Sequence, residues 1–298
     1  MPSCLKKLNN YSAYRTNFCV NERVKEFDVC SKSFKRGYTS CDFISKNFKN
    51  EEFITTGWIK ANFPTDWSDA IKQSVKRFIY NKVSKFNSNL NISESDFCLE
   101  KYHTFVSNEQ HLNVINSFRG KFNFFGCGGI PLSELGIPFT DLDGFVNNTL
   151  QTSVKFSTNK KKFGFKFDKF WIRIIRPKIN DNNPPHKDSH LQRLKHLVNI
   201  YLPLAGSNEH SSLPVITGSH LESDREYIVS ESPCYIYGKS NTVPCIVHRE
   251  KGLNLFTPNP SQEEILLFSS HLIHGGGIND NADTTRVSLE MRFSPVNI

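Results

Sequence analysis

The sequence predicts an α+β fold that is mainly β, with a β-sandwich or jelly roll supported by helices. Before about residue 163, apolar residues recur at helical spacing in several segments. After it, short runs rich in Phe, Ile, Val and Leu alternate with clusters of Pro, Gly, Asn and Ser, which is typical of strands and turns. Helices followed by many short strands are expected to cover one face of a sheet.

The composition is that of a globular chain, with 38% hydrophobic and 12% aromatic residues among 298. No apolar run approaches the roughly 20 residues that span a bilayer, and the N-terminus lacks the apolar stretch of a signal peptide. We therefore expect a cytoplasmic protein that does not contact a membrane. The net charge of +8 favours anionic partners or serves solubility. The eight cysteines form no Cys-x-x-Cys pair, so we expect most of them to be thiols.

The first half of the chain is predicted to support the sheet. Residues 1–60 are polar and weakly periodic, so we expect an irregular segment with at most short elements, packed on the domain. Residues 61–162 are expected to be mostly helical. Apolar spacing predicts one helix that ends near Phe86, and Ser107 with Gln110 has the spacing of a capping box before another.

The second half, residues 163–298, is predicted to be the β core of a single structural domain, with an insert or lid at 222–262. The predicted strands are "FWIRIIRP", "HLVNIYLPL", "LPVITG", "EEILLFSS" and "TRVSLEMRF". Because side chains alternate along a strand, the last of these puts four polar residues on one side, either toward solvent or into a pocket. These residues are Arg286, Ser288, Glu290 and Arg292.

The segment "PPHKDSHL" has a histidine and an aspartate two residues apart. On an extended strand, His186 and Asp188 project to the same side and can bind one ion. A mononuclear Fe(II) oxygenase site needs two imidazoles and one carboxylate on one face of the metal, with the other face open to cosubstrate and oxygen. His274 follows a strand-like run and precedes three glycines, so it is the predicted third ligand, with His271 as the alternative.

Arg286 lies twelve residues after His274, and Ser288 follows two residues later. Their spacing directs a guanidinium group and a hydroxyl group to one side of a strand. A guanidinium group binds a carboxylate through two parallel hydrogen bonds. This pair therefore suits the distal carboxylate of 2-oxoglutarate.

Taken together, these motifs resemble the phytanoyl-CoA dioxygenase-like branch of the Fe(II)/2-oxoglutarate-dependent oxygenases. The resemblance covers about residues 170–295, with Glu263-Glu264 standing where that family has Gly-Asp. The motifs that carry it, in order, are "HKD", "HLVNIYLPL", "LPVITGSH", "EEILLFSSHLIHGGG" and Arg286 ahead of "SLEMRF".

The resemblance implies a double-stranded β-helix core of the jelly-roll, cupin-like kind. It implies that His186, Asp188 and His274 bind Fe(II), and that 2-oxoglutarate and O2 are cosubstrates. The expected reaction is hydroxylation of a small-molecule metabolite with release of succinate and CO2. Asn199 and Tyr201, on one side of "HLVNIYLPL", are further candidates for binding the cosubstrate.

Three more residues are candidates for the substrate pocket: Trp171 and Arg173, which share one side of a strand, and Arg292. The net charge favours an anionic small molecule. Two other functions stay open. A nucleic-acid demethylase of the alkylation-repair type also has two arginines six residues apart on its last strand, and a non-catalytic jelly-roll binding module would have the strands without the iron. The sequence does not predict the oligomeric state.

Overall fold

A computed structural model describes most of the chain. The described residues are 10–37, 43–118, 127–131, 139–152, 156–157, 169–179, 183–236, 239–276 and 279–295.

Within the described residues, strands outnumber helices, as the sequence predicts. The α-helices are α1 (Phe43–Asn47), α2 (Glu51–Thr56), α3 (Thr65–Phe86), α4 (Asn108–Asn116) and α5 (Phe139–Leu150). The strands are β1 (Ser12–Val20), β2 (Arg23–Ser31), β3 (Phe34–Arg36), β4 (Trp58–Asn62), β5 (Cys127–Pro131), β6 (Phe156–Ser157), β7 (Lys169–Ile175), β8 (Val198–Ala205), β9 (Val215–Ile216), β10 (Tyr227–Ser230), β11 (Cys234–Ile236), β12 (Lys239–Asn241), β13 (Ile246–Arg249), β14 (Asn254–Leu255), β15 (Glu264–Ser269), β16 (Ile273–His274) and β17 (Arg286–Pro295). Short 3-10 helices lie at Leu99–Thr104, Asp188–His190, Gln192–Leu194 and Asp224–Glu226.

The largest sheet has the strand order β4-β15-β8-β17-β7-β5, with β6 paired to β17. One of its faces is apolar and packs against the helices in the main hydrophobic core. Helix α3 contributes a stripe at four-residue spacing, which is the side of a helix that can face a sheet. This stripe consists of Ile71, Val75, Ile79 and Val83, all fully buried. The predicted capping box of Ser107 and Gln110 is present at the start of α4.

The opposite face of this sheet is polar in its centre. Antiparallel partners that lie directly across from each other share a face, and β17 is paired on both sides. Glu290 lies between Trp171 of β7 and Tyr201 of β8, and Arg292 lies opposite Asn199. Every residue of β8 is buried, and the side chains of Glu290 and Arg292 are 13% and 17% exposed, so this polar face is largely enclosed.

The prediction that residues 1–60 are irregular is wrong for residues 12–31. Strands β1 and β2 are nine residues long and form a hairpin, joined by Asn21 and Glu22, both with positive φ. Such a two-residue turn matches the twist of a hairpin. Buried residues alternate with less buried ones along β1, at Thr16, Phe18 and Val20, and this alternation was the missed signal.

The insert at 222–262 is also built of strands. Strands β11, β12 and β14 join the N-terminal hairpin in a five-stranded sheet of order β12-β11-β2-β1-β14, and β10 and β13 form a second sheet with β3. A second apolar core holds these strands together. The insert and the N-terminal hairpin are therefore one structural layer, and a lid role for the insert stays a prediction.

All five predicted strands of the second half are present, as β7, β8, β9, β15 and β17. No helix in the described part of the chain has both the length and the apolar character needed to cross a membrane. Two of the eight cysteines, Cys4 and Cys41, lie outside the described residues.

Candidate metal centre

The loop that carries His186 and Asp188 is not a strand. His186 makes only isolated bridges, to Cys245 and to His274, and Asp188 begins a 3-10 turn. Two prolines precede His186 and lack the N–H groups that a continuous ladder needs. Lys187 is nevertheless extended, with φ −111° and ψ 127°. The side chains of His186 and Asp188 therefore still project to the same side, as predicted.

His274 ends the two-residue strand β16, which pairs with β9. Its backbone is bonded to that of His186 in both directions, with His186 N to His274 O at 2.9 Å and His274 N to His186 O at 3.0 Å. The next residue, Gly275, has φ +100°, and a Cβ atom there would lie 2.8 Å from Pro184 O. Glycine is thus required for the two histidine segments to approach this closely.

The three side chains converge. One ligand atom each from His186, Asp188 and His274 lies within 4.8 Å of the other two, and all three residues are buried. His186 Nε2 lies 3.7 Å from Asp188 Oδ1. In the described part of the chain, no other group of three His, Cys, Asp or Glu side chains is arranged to hold a metal ion.

Both imidazoles are oriented for binding through Nε2. His186 Nδ1 lies 2.7 Å from Pro184 O, and His274 Nδ1 lies 3.0 Å from Leu272 O. A carbonyl oxygen can only accept, so each Nδ1 donates its proton there and Nε2 is the nitrogen left to bind a metal. Burial, reinforced by the neighbouring His274, lowers the pKa of His186 to about 3, so its imidazole is neutral at physiological pH.

The two carboxylate oxygens of Asp188 have different surroundings. Oδ2 accepts from Asn199 Nδ2 at 3.1 Å and from Arg292 Nε at 3.2 Å. Oδ1 is buried and has no hydrogen-bond partner among the described residues. Burial would raise the pKa of this carboxyl, but neighbouring charge, foremost that of Arg292, outweighs burial and lowers it. A buried, ionised oxygen without a partner beside two imidazole nitrogens fits a divalent cation.

Arg286, at the start of β17, lies at the far side of the same site. Its side chain is 2% exposed and lies 5.9 Å from the centre of the Tyr201 ring. Nη1 donates to Ser211 O at 2.6 Å, whereas Nε has no partner among the described residues. The Ser288 hydroxyl is likewise buried and unpartnered. These unpartnered groups fit a bound polar ligand.

A small cavity of about 20 Å³ lies between the two converging histidines and Arg286. Arg173 and Glu290 line it and are joined by two hydrogen bonds of 3.1 Å. The cavity has room for about one water molecule. Trp171, a predicted pocket residue, is 9% exposed and pairs with Glu290 across the sheet.

Two residues that were predicted to contact ligands instead form hydrogen bonds with Asp188. Asn199, predicted to bind the cosubstrate, and Arg292, predicted to contact the substrate, both bond to Asp188. Tyr201, the other predicted cosubstrate residue, has its hydroxyl 2.9 Å from Ser207 Oγ. Their roles toward ligands stay predictions.

Lys187, between His186 and Asp188 in sequence, points away from the site. It is 1% exposed, and Nζ donates to Asp224 Oδ1 at 2.7 Å and lies 4.5 Å from the centre of the Tyr227 ring. His190 Nε2 lies 3.3 Å from the other oxygen of Asp224. The sequence indicates that Lys187 points away from the site, because side-chain alternation turns it opposite to His186 and Asp188. Nothing in the sequence indicates Asp224 as its partner.

Two further histidines are buried outside the converging group. His271, the alternative ligand, has its ring 5.8 Å from that of His196, and its Nε2 has no partner among the described residues. His220 Nε2 lies 2.9 Å from Ile54 O, which ties its turn to helix α2. His274 is therefore the histidine that joins the group.

No protein-family model and no curated protein sequence matches the chain. Similar solved structures include AviO1 from Streptomyces viridochromogenes Tue57, with 14% identity, 83% of this chain and 93% of that chain covered, and a TM-score of 0.45. EctD from S. alaskensis, solved with 2-oxoglutarate and 5-hydroxyectoine, has 12% identity, 89% and 84% coverage and a TM-score of 0.49. The epimerase SnoN, solved with Fe3+, alpha ketoglutarate and nogalamycin RO, has 9% identity, 82% and 81% coverage and a TM-score of 0.45. Likeness at this level assigns no function to the chain.

Proposed function

We propose that this protein is an Fe(II)/2-oxoglutarate-dependent dioxygenase that hydroxylates a small-molecule metabolite. The convergence of His186, Asp188 and His274 carries this proposal, since it supplies two imidazoles and one ionised carboxylate from separate segments. We also propose that the facing sheets around these ligands form a double-stranded β-helix core.

The protein's part in the reaction is to bind Fe(II) and to orient the groups that react there. His186 and His274 bind through Nε2, because their Nδ1 atoms are bonded to backbone carbonyls. Asp188 binds through Oδ1, because Asn199 and Arg292 occupy Oδ2. Bound Fe(II) supplies the activation of O2, coupled to oxidative decarboxylation of 2-oxoglutarate to succinate and CO2.

Arg286 fixes the distal carboxylate of 2-oxoglutarate, with the Ser288 hydroxyl as a second donor. Both are buried, and the unpartnered Arg286 Nε and Ser288 Oγ are groups that a carboxylate would satisfy. The cosubstrate is larger than the cavity of about 20 Å³. Binding therefore requires that a lining side chain moves, and Arg173, held by Glu290, is the long lining side chain other than Arg286 itself.

The charges around the site favour an anionic ligand set. Arg173, Arg286 and Arg292 lie around Glu290 and lower the pKa of its carboxyl against the effect of burial. With Asp188, these groups comprise three positive and two negative charges, which leaves one positive charge before a divalent cation adds two more. A dianionic cosubstrate offsets most of this charge, and an anionic substrate offsets the rest.

Anaerobic titration with Fe(II) and 2-oxoglutarate tests the proposed centre. The wild-type protein is expected to develop a weak charge-transfer band in the visible region. Asp188→Ala is expected to lose Fe(II) affinity by more than about 100-fold, since even outer partners of ligands are worth about 10–100-fold. Asp283→Ala, at a carboxylate that is 63% exposed, is the matched control and should behave as wild type. Absence of the band from the wild-type protein would favour a non-catalytic binding module.

Arg286→Lys separates cosubstrate binding from metal binding. Lysine keeps the charge but loses the planar pair of donors. The 2-oxoglutarate concentration that gives half of the maximal intensity of the charge-transfer band is expected to rise at least about tenfold, with Fe(II) affinity unchanged. An unchanged 2-oxoglutarate requirement would remove Arg286 from the proposal.

A succinate-release screen identifies the substrate class. Anionic and neutral metabolites form two arms, and methylated single-stranded oligonucleotides form the third. Turnover is expected in the metabolite arms. Turnover confined to the oligonucleotide arm would replace the proposed hydroxylase with a nucleic-acid demethylase.

A further inference from the structure

Two buried cysteines lie in contact on the far side of the His186 loop. Cys234 begins β11, and Cys245 directly precedes β13, in the other small sheet. Their Sγ atoms are 3.4 Å apart, and both residues are fully buried. A disulfide requires these sulfurs to approach by only about 1.4 Å, to the S–S bond length of about 2.0 Å.

Polar groups surround this sulfur pair within an otherwise apolar core. Asn241 Nδ2 donates to Val243 O at 2.8 Å and lies 3.3 Å from Cys245 Sγ. The backbone of Cys245 is fixed by Ser230, whose Oγ accepts from Cys245 N at 2.9 Å. The hydrogen bond with the Cys245 thiol lowers the pKa of Cys234, which favours its thiolate as the attacking group.

The pair also adjoins the candidate metal centre through the backbone. Cys245 forms a bridge with His186, and Ile246 N donates to Pro185 O at 2.9 Å. A covalent bond at Cys245 would therefore restrain the strand segment against which the His186 loop rests.

We propose that Cys234 and Cys245 are a disulfide-forming pair that is oxidised by a peroxide. The Cys234 thiolate attacks one peroxide oxygen, the O–O bond breaks, and the leaving hydroxide takes up a proton to become water. The Cys245 sulfur then displaces the hydroxyl group of the Cys234 sulfenic acid as a second water and forms the S–S bond. The two thiols together lose two electrons, and the peroxide gains them.

Access to the pair is through the edge of a sheet. Strand β12, which includes Asn241, is three residues long and is the terminal strand of the five-stranded sheet. Short edge strands open locally at low free-energy cost compared with central strands. Opening of β12 lets a small peroxide reach sulfurs that a large reagent does not reach.

Peptide mapping of the full-length protein tests this pair directly. Trypsin cleaves after Arg225, Lys239 and Arg249, so the two cysteines fall in separate peptides. After hydrogen peroxide and alkylation, these peptides are expected to appear as one linked species, two hydrogen masses lighter than their sum and separated by reductant. Separate alkylated peptides, or a link from either cysteine to a different one, would overturn the proposal.

Thermal unfolding gives a second readout. Oxidation is expected to raise the melting temperature of the wild-type protein by about 5 °C, because the bond closes a short loop. Cys234→Ala and Cys245→Ala are expected to show neither the shift nor the linked peptide. Cys98→Ser, at an exposed thiol, is the matched control and should keep both. If either alanine variant does not fold, the wild-type map alone decides.

Discussion

Asp188 is the proposed metal ligand whose surroundings are most specialised. One oxygen is held by two donors, and the other is buried without a partner among the described residues. The Asn199 amide is neutral, whereas the Arg292 guanidinium group is charged. Arg292 is therefore the donor that keeps the Asp188 carboxyl ionised despite burial. Arg292 is thus expected to act on the metal through Asp188, before any contact with a substrate.

Arg292→Met is expected to weaken metal binding. Loss of the guanidinium group removes the charge that lowers the pKa of Asp188, so Fe(II) affinity should fall by about 10–100-fold at neutral pH. Anaerobic calorimetric titration with Fe(II) measures this loss of affinity. Arg77→Met, at an arginine that is 69% exposed, is the control. Normal Fe(II) affinity combined with a raised KM for the substrate would instead support the substrate role predicted from the sequence.

The convergence of His186, Asp188 and His274 was predictable because motif order and side-chain alternation are sequence properties. Alternation along β17 and β8 also put Arg292 and Asn199 on the correct face. The contact of both with Asp188 was not predictable, since it depends on where the His186 loop lies over the sheet. The Lys187–Asp224 pair was not predictable either, because 37 residues separate the partners.

The turn that follows β16 is the element that joins the two histidine segments. Its backbone takes φ +100° at Gly275, where side chains are strained, and it passes against Pro184 and His186. The close approach lets the backbones of His186 and His274 bond to each other. The position of one ligand therefore fixes the position of the other.

Gly275→Ala is expected to disturb the centre without unfolding the protein. The added Cβ atom would lie 3.0 Å from His186 Nδ1 and 2.8 Å from Pro184 O, so His186 must move. Fe(II) affinity should fall by about tenfold or more, while circular dichroism stays as in wild type. Gly144→Ala is the control, because a Cβ atom there meets nothing within 4 Å. Equal Fe(II) affinity in the two variants would show that the approach is not needed.

The 3-10 helix Asp224–Glu226 is held to the His186 loop by the buried pair of Lys187 and Asp224. His190 and Lys187 lower the pKa of Asp224 against the effect of burial. Because the pKa is lowered in the folded state, ionisation of Asp224 stabilises the fold above the ordinary pKa of about 4. That contribution disappears as the pH falls through the folded-state pKa.

Asp224→Asn is expected to lower the free energy of unfolding at pH 7 by about 3–5 kcal/mol, because it leaves Lys187 buried without its anion. The loss should shrink on acidification below about pH 4. Urea unfolding at several pH values measures both. The double variant Lys187→Met/Asp224→Asn should recover part of the stability. A loss that does not depend on pH would mean that Asp224 is not ionised in the folded protein.

The β1–β2 hairpin shows why the first 60 residues were misjudged. The apolar residues of this hairpin pack in a core with strands of the insert some 200 residues away. Local periodicity does not report such a partner. The support helix α3, in contrast, carries its whole apolar stripe in one segment and was predictable.

Among the described residues, the buried apolar side chains form two large cores. The first lies between the large sheet and the helices, and the second between the N-terminal hairpin and the insert. Phe18 belongs to the second core and also meets the turn after His274, since a Cβ atom at Gly276 would lie 2.7 Å from its ring. The second core therefore packs against the segment that carries His274.

Phe18→Ala tests whether the two cores unfold together. Phe18 is 4% exposed and packs against Phe27 with ring centres 5.5 Å apart, so its truncation should lower the free energy of unfolding by about 3–5 kcal/mol. If the cores are coupled, a single urea transition monitored by tryptophan fluorescence shifts as a whole, and Fe(II) affinity falls with it. Val24→Ala on the same hairpin is the control, because Val24 is 66% exposed and its change should stay within about 0.5 kcal/mol. A separate early transition in Phe18→Ala, with the main one unmoved and Fe(II) still bound, would mean that the hairpin layer folds independently of the centre it covers.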